Sequence, residues 1–201
     1  MDTDRLTTKS QEALSAAIRG AVADGHPDVE PVHLLLALLD QPDGIATPLL
    51  TAVGAQPETV RAKADALLRS LPAATGSTVA APQLSRSLMG VMKSASEAAA
   101  KVGDEYVSTE HLLVGLAQDG GPVAEMLRGV APAGPQLPKA LVDAFELVEA
   151  AGIPLGQARQ LVAELQQQLQ ALPCGGRGEV LGDLGQGGRQ LHPLVVRRRH
   201  A

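Results

Sequence analysis

The sequence predicts an all-α fold: two copies of one four-helix unit, followed by an extra C-terminal helix and a disordered tail. Three observations predict it. The segment Gly25-His-Pro-Asp-Val-Glu-Pro-Val-His-Leu-Leu35 is answered 78 residues later by Gly103-Asp-Glu-Tyr-Val-Ser-Thr-Glu-His-Leu-Leu113. At the same offset Leu6 falls on Leu84, Ala17 on Ala95, Ala21 on Ala99, Leu38 on Leu116, Ala46 on Ala124 and Leu49 on Leu127. Self-similarity at a fixed period marks a repeated supersecondary unit. Next, apolar residues make up 45% of the chain, yet Tyr106 and Phe145 are its only aromatics. The core is therefore Leu, Ala and Val, a mixture that favours helices over a sheet. Finally, the apolar positions recur at helical spacing between capping and breaking residues.

Thr7 and Ser85 stand just before helical runs, where a hydroxyl accepts from backbone N–H groups of the first turn. These first helices extend to about Ala23 and Lys101 and end near Gly25 and Gly103, residues that readily take the left-handed conformation. The second helices start at Glu30-Pro31 and Ser108-Thr109. Pro31 suits a first turn because its missing N–H has no helical partner there, and Ser108 is a natural cap. Leu34, Leu35 and Leu38, like Leu112, Leu113 and Leu116, fall on one face and predict a core. The breakers Gln41-Pro-Asp-Gly44 and Gln118-Asp-Gly-Gly-Pro122 precede short third helices that contain Leu49, Leu50 and Leu127. A fourth helix, Pro57 to Leu71, closes the first copy after Gly54.

The stretch Pro72 to Pro82, rich in Ala, Thr, Ser and Gly, reads as a linker. The second copy closes less simply, because Arg128 to Pro138 holds three prolines. The closing pattern resumes at Leu147-Val-Glu-Ala-Ala-Gly-Ile-Pro154, which implies an insertion of about 20 residues or a third, incomplete repeat. Beyond Pro154, Leu155, Ala158, Val162, Leu165, Leu169 and Leu172 form a short heptad seam that packs on its own repeat or pairs with another helix. The organisation expected is a first repeat at 1–72, a linker at 73–83, a second repeat with insertion and closing helix at 84–172, and a Gly/Arg-rich disordered tail at 173–201.

The net charge of −5 conceals a division. Residues from Pro173 onward carry five Arg against Glu179 and Asp183, a net of +3 that leaves −8 for residues 1–172. So acidic a body argues against nucleic acid as a partner. No apolar run approaches the ~18 residues a membrane span needs, and Met1-Asp-Thr-Asp is acidic where a secretory signal is basic. A cytoplasmic protein without a membrane partner is expected. The single Cys174 excludes an internal disulfide, and its glycine-rich surroundings offer nothing to activate a nucleophile. His33 and His111 each stand alone at the start of an apolar helix without a partner at ligand spacing, and His26 and His33 make too weak a pattern for zinc. Packing or capping is their expected role, with no metal and no cofactor. Lys9-Ser10 and Lys93-Ser94 lack the glycine turn of a phosphate loop, so the chain reads as a non-enzyme without catalytic residues.

The paired strings Gly-His-Pro-x-Val-x-Pro-x-His-Leu-Leu and Gly-Asp-Glu-Tyr-Val-Ser-Thr-Glu-His-Leu-Leu, with the Leu-Thr-x-x-Ser-x-x-Ala-Leu run before them, resemble the Clp N-terminal repeat domain, closest to its ClpB branch. The resemblance covers roughly residues 1–130. It implies two pseudo-repeated four-helix units, tethered in front of AAA+ ATPase rings, that recognise unfolded or aggregated polypeptides or adaptor proteins. The cargo-linked positions it carries over are Thr7, Asp104 and Glu110. Each also has a structural reading, Thr7 as a helix cap and Glu110 as a first-turn carboxylate favoured by the helix dipole. The ClpC branch places a Glu before His-Leu-Leu in both repeats to bind phosphorylated arginine. Here Glu110 keeps that slot and Val32 fills the other, which favours the ClpB-type reading.

The resulting expectation is a non-catalytic substrate- or adaptor-binding module that holds unfolded polypeptide for a Clp/Hsp100 ATPase through an apolar groove between the repeats. The alternative is a stand-alone regulatory adaptor that dimerises or binds Clp-family partners without contacting unfolded substrate. The sequence leaves open whether the chain is a shortened chaperone or a dedicated protein.

Overall fold

The computed structural model describes residues 5–73 and 82–150. The heptad seam, Cys174 and the Gly/Arg-rich tail lie outside the described residues.

In the first half, helices α1 (Thr8–Ala23), α2 (Pro31–Asp40), α3 (Ala46–Ala52) and α4 (Pro57–Arg69) follow one another, with a two-residue strand β1 (Asp28–Val29) between the first two. In the second half, β2 (Gln83–Leu84) leads into α5 (Arg86–Val102), α6 (Thr109–Asp119), α7 (Pro122–Val130), a 3-10 turn at Gly134–Gln136 and α8 (Leu137–Ala150). Thr8 and Arg86, like Pro31 and Thr109, start their helices at the 78-residue offset. The predicted caps are in place. Ser10 N–H donates to Thr7 Oγ1 at 3.3 Å and Leu88 N–H to Ser85 Oγ at 3.0 Å.

Both first helices end in the same Schellman turn. Gly25 and Gly103 take φ of 70° and 88°, and the next residue donates its N–H back along the helix, His26 to Ala21 O and Asp104 to Ala99 O, each at 2.9 Å. The connectors that follow do more than link helices. The N–H of Thr7 donates to Val107 O at 3.1 Å and that of Val107 to Arg5 O at 2.7 Å, while Ser85 N–H donates to Val29 O at 3.1 Å and Gln83 N–H to Pro27 O at 3.2 Å. Leu6 thus bridges Val107 and β1 pairs in parallel with β2. Each repeat's lead-in lies along the other repeat's connector, a reciprocal crossing that the all-helical reading missed.

The halves also exchange packing further on. α4 packs against α2 and α7, and α8 packs against α6 and α3, so each fourth helix covers its own second helix and the other repeat's third. This corrects the expected closure of the second repeat after a 20-residue insertion. α8 already fills the place equivalent to α4, burying Leu137 and Leu141 completely. The prolines that suggested an interruption are absorbed, Pro132 just after α7, Pro135 in the 3-10 turn, and Pro138 in the first turn of α8 where no N–H is needed. Leucines and alanines of both repeats make one continuous apolar cluster. The contacts between repeats are therefore filled core, where the sequence suggested a shared groove.

Candidate functional site

Sequence reasoning singled out Thr7, Asp104 and Glu110, and the crossing of lead-in and connector sets their positions. Thr7 caps α1 on one side of the Leu6–Val107 bridge, its hydroxyl 3.0 Å from Ser10 Oγ. Asp104 opens the connector on the other side as the residue that completes the Schellman turn of α5. Its side chain is 48% exposed, and one oxygen lies 3.3 Å from His111 Nε2. Glu110, in the first turn of α6, is 8% exposed and takes a hydrogen bond from the Ser108 hydroxyl. Asp104 is thus the acid presented outward, and Glu110 is folded back over the start of its helix. Thr7 is half-buried beside the same connector.

Two exposed apolar side chains flank Asp104, Val102 at the end of α5 and Tyr106 in the connector. Sequence reasoning passed over both. The signal available was an aromatic in a loop of a chain with almost none, since a lone Tyr outside every apolar stripe has no core to join.

The histidines also have partners that spacing did not reveal. The N–H of Glu30 donates to His33 Nδ1 at 2.9 Å, and His33 Nε2 lies 2.8 Å from His26 Nδ1. In the second repeat the N–H of Ser108 donates to His111 Nδ1 at 3.2 Å, and Nε2 faces Asp104. Each histidine therefore takes the place of the Glu or Gln of a capping box, bonding the N-cap backbone from the third helical position. Its far nitrogen reaches the residue after the glycine of the Schellman turn, His26 or Asp104. The reading of these histidines as solitary is corrected, while the capping role stands. Phe145 of α8 packs edge-on against His111, ring centres 6.4 Å apart.

Asp24, His26 and His33, and likewise Asp104, Glu110 and His111, bring potential ligand atoms within 4.8 Å of one another. The proton arrangement disfavours a metal in the first cluster. His33 Nδ1 is occupied by the Glu30 N–H, so Nε2 carries the ring proton of the neutral form and offers no lone pair. In the second cluster Glu110 already accepts from Ser108. Burial first of all, with His26 acting in the same sense, holds His33 below the ordinary imidazole range, against the opposing influence of the Glu30 carbonyl, 3.3 Å from Nδ1, and of Asp24.

The model of the Clp repeat (R) N-terminal domain family matches residues 5–130. The chaperone protein ClpB of Mycobacterium tuberculosis (strain ATCC 25618 / H37Rv) is 46% identical over 172 residues, 86% of this chain and 19% of the relative. The chain thus spans about a fifth of the length of the curated relatives it matches. Among solved structures, the N-terminal domain of the ClpV1 ATPase from E. coli EAEC gives a TM-score of 0.60 at 25% identity, covering 73% of this chain and 87% of that one. A ClpV N-domain in complex with a VipB peptide gives 0.53 at 17% identity, covering 70% and 89%, and shares the fold.

Proposed function

Because the chain belongs to the Clp repeat N-terminal domain family, we propose that it holds non-native polypeptide segments for a cytoplasmic ClpB-type AAA+ ATPase that these 201 residues do not include. The observation that carries this reading is the surface around the Leu6–Val107 bridge, where an outward carboxylate, Asp104, sits between the exposed Val102 and Tyr106. A module that hands clients to a motor needs weak contacts without sequence preference. Two exposed apolar side chains beside two acids, Asp104 and Glu105, give such contacts, because apolar area is indifferent to order and the acids add attraction to basic residues. Thr7 limits the patch on the lead-in side. Glu110, bonded to Ser108, supports the connector and meets cargo only where that bond opens.

A ClpV N-domain has been solved with a VipB peptide, which supports a peptide-like ligand for the present domain. No helix among the described residues is long and apolar enough to cross a membrane. The test is fluorescence anisotropy with a labelled, permanently unfolded polypeptide. Replacing both Asp104 and Glu110 by Ala is expected to weaken binding about tenfold, ~1.4 kcal/mol, with helicity unchanged. Unaltered binding in that variant removes the site assignment.

A further inference from the structure

The buried pair His26 and His33 takes no part in the surface just described and has no counterpart in the second repeat, where Asp104 stands in the place of His26. Both rings are nearly inaccessible, at 6% and 4% exposure, and meet edge to face with centres 5.0 Å apart. His33 Nδ1 lies 2.9 Å from the Glu30 N–H and 3.3 Å from the Glu30 carbonyl. The shorter contact comes from a donor, so Nδ1 accepts, and the single ring proton sits on Nε2, 2.8 Å from His26 Nδ1. The chain from the Glu30 N–H through His33 to His26 therefore requires two neutral imidazoles, each receiving a proton on Nδ1.

We propose that this pair is an acid-release latch on the first repeat: one added proton, on Nδ1 of either ring, removes one of the two side-chain hydrogen bonds by which the His33 ring ties the Asp24–Glu30 connector to α2 and loosens the β1–β2 pairing that this connector carries. The charged groups that act on His33 are His26 and Asp24, both on the connector, and Glu30 acts through its backbone. Because His33 binds its proton less readily when folded, the unfolded chain holds more protons through the titration. The latch is therefore fully closed above the unfolded value of about 6.5 and is lost as pH falls through the lower folded value. The second repeat is built the other way. A proton added at His111 Nδ1 also displaces the Ser108 N–H, but there the charged ring finds the Ser108 hydroxyl at 2.9 Å and faces the carboxylates of Asp104 at 3.3 Å and Glu110 at 4.0 Å, charges of opposite sign. Mild acid thus slackens one connector and leaves the other, with Asp104 and Tyr106 on it, in register.

The experiment is NMR on the full 201-residue chain from about pH 8 to about pH 5.5, following the histidine rings and two backbone amides as the imidazoles titrate. The amides are Ser85, bonded to Val29, and Thr7, bonded to Val107, which report the two crossings separately. His33 is expected to titrate below the ordinary value, and protection at Ser85 to fall in the same step by about tenfold relative to Thr7. His33 titrating at or above the ordinary value, or Ser85 and Thr7 changing in parallel, overturns the latch. His26→Asp rebuilds the arrangement of the second repeat and is expected to abolish the difference between the two amides. A difference that persists in this variant also overturns it, and the wild-type comparison decides the matter if the variant does not fold.

Discussion

The two connectors share one backbone plan and carry opposite side chains. Asp24, His26 and Asp28 in the first repeat correspond, at the offset of 78, to Val102, Asp104 and Tyr106 in the second. The Schellman turn, the histidine at the third position of the next helix, and the pairing to the other repeat's lead-in are kept in both. What has changed is the outward face, which at positions 24–28 carries Asp24 and Asp28 without an exposed large apolar side chain in one repeat and, at 102–106, Asp104 and Glu105 beside the exposed Val102 and Tyr106 in the other. Hydrogen bonds that fix the chain path are costly to lose in either copy, whereas exposed side chains can diverge freely. The scaffold duplicates, and the surface specialises.

The helix pairs behind the connectors differ too, and the largest effect predicted here sharpens that difference. Position 37 is Ala, but its equivalent is Gly115, where an added Cβ would lie 2.5 Å from Val91 O and 3.1 Å from Ala95 N. Both are backbone atoms of α5, so no side chain can swing away. Gly115→Ala is expected to cost about 1–3 kcal/mol in denaturant unfolding by forcing α5 and α6 apart. A loss below about 0.5 kcal/mol would mean that α6 shifts freely and that the two helix pairs are equally tolerant.

A smaller effect separates structure from binding. Thr7→Ala and Ser85→Ala each remove one N-cap bond, and both are expected to lower stability by about 1 kcal/mol. Thr7 alone borders the connector of Asp104 and Tyr106, because Ser85 crosses that of Asp24 and Asp28. Polypeptide affinity should therefore drop for Thr7→Ala and hold for Ser85→Ala, measured by anisotropy at matched folded fraction. Equal affinities would remove Thr7 from the binding surface and leave it as a cap.

Much of the fold was legible in the sequence because it rests on local rules. The caps at Thr7, Ser85 and Ser108, the glycines at 25 and 103 and the leucine faces of α2 and α6 act within one or two helical turns. What escaped was non-local. The reciprocal crossings depend on residues about 50 to 100 positions apart, such as Val29 with Leu84 and Leu6 with Val107, and no periodicity announces them. The fourth helix of the second repeat was misplaced because three prolines were counted as breakers, although one of them lies in a helical first turn where it does no harm. In the site, Asp104 and Glu110 came from resemblance. Tyr106 and the partners of His33 and His111 did not, because a seven-residue separation across a glycine turn has no helical or strand register from which proximity could be read.

The smallest effect concerns how each fourth helix is held. In the first repeat Arg61 of α4 pairs with Asp40 at the end of α2, a link between helices. In the second, Lys139 pairs with Asp143 inside α8, and Phe145 of α8 packs on His111 of α6. The Arg61 and Asp40 side chains are 40% and 65% exposed, so solvent and salt screen the pair and its worth is at most about 1 kcal/mol. Arg61→Ala is expected to lower stability by about 0.5 kcal/mol at low ionic strength and by less at about 1 M salt, where the screening length shrinks to ~3 Å. An effect that persists undiminished in salt would show that Arg61 holds α4 by packing its aliphatic stem. The two repeats would then secure their closing helices by the same apolar means.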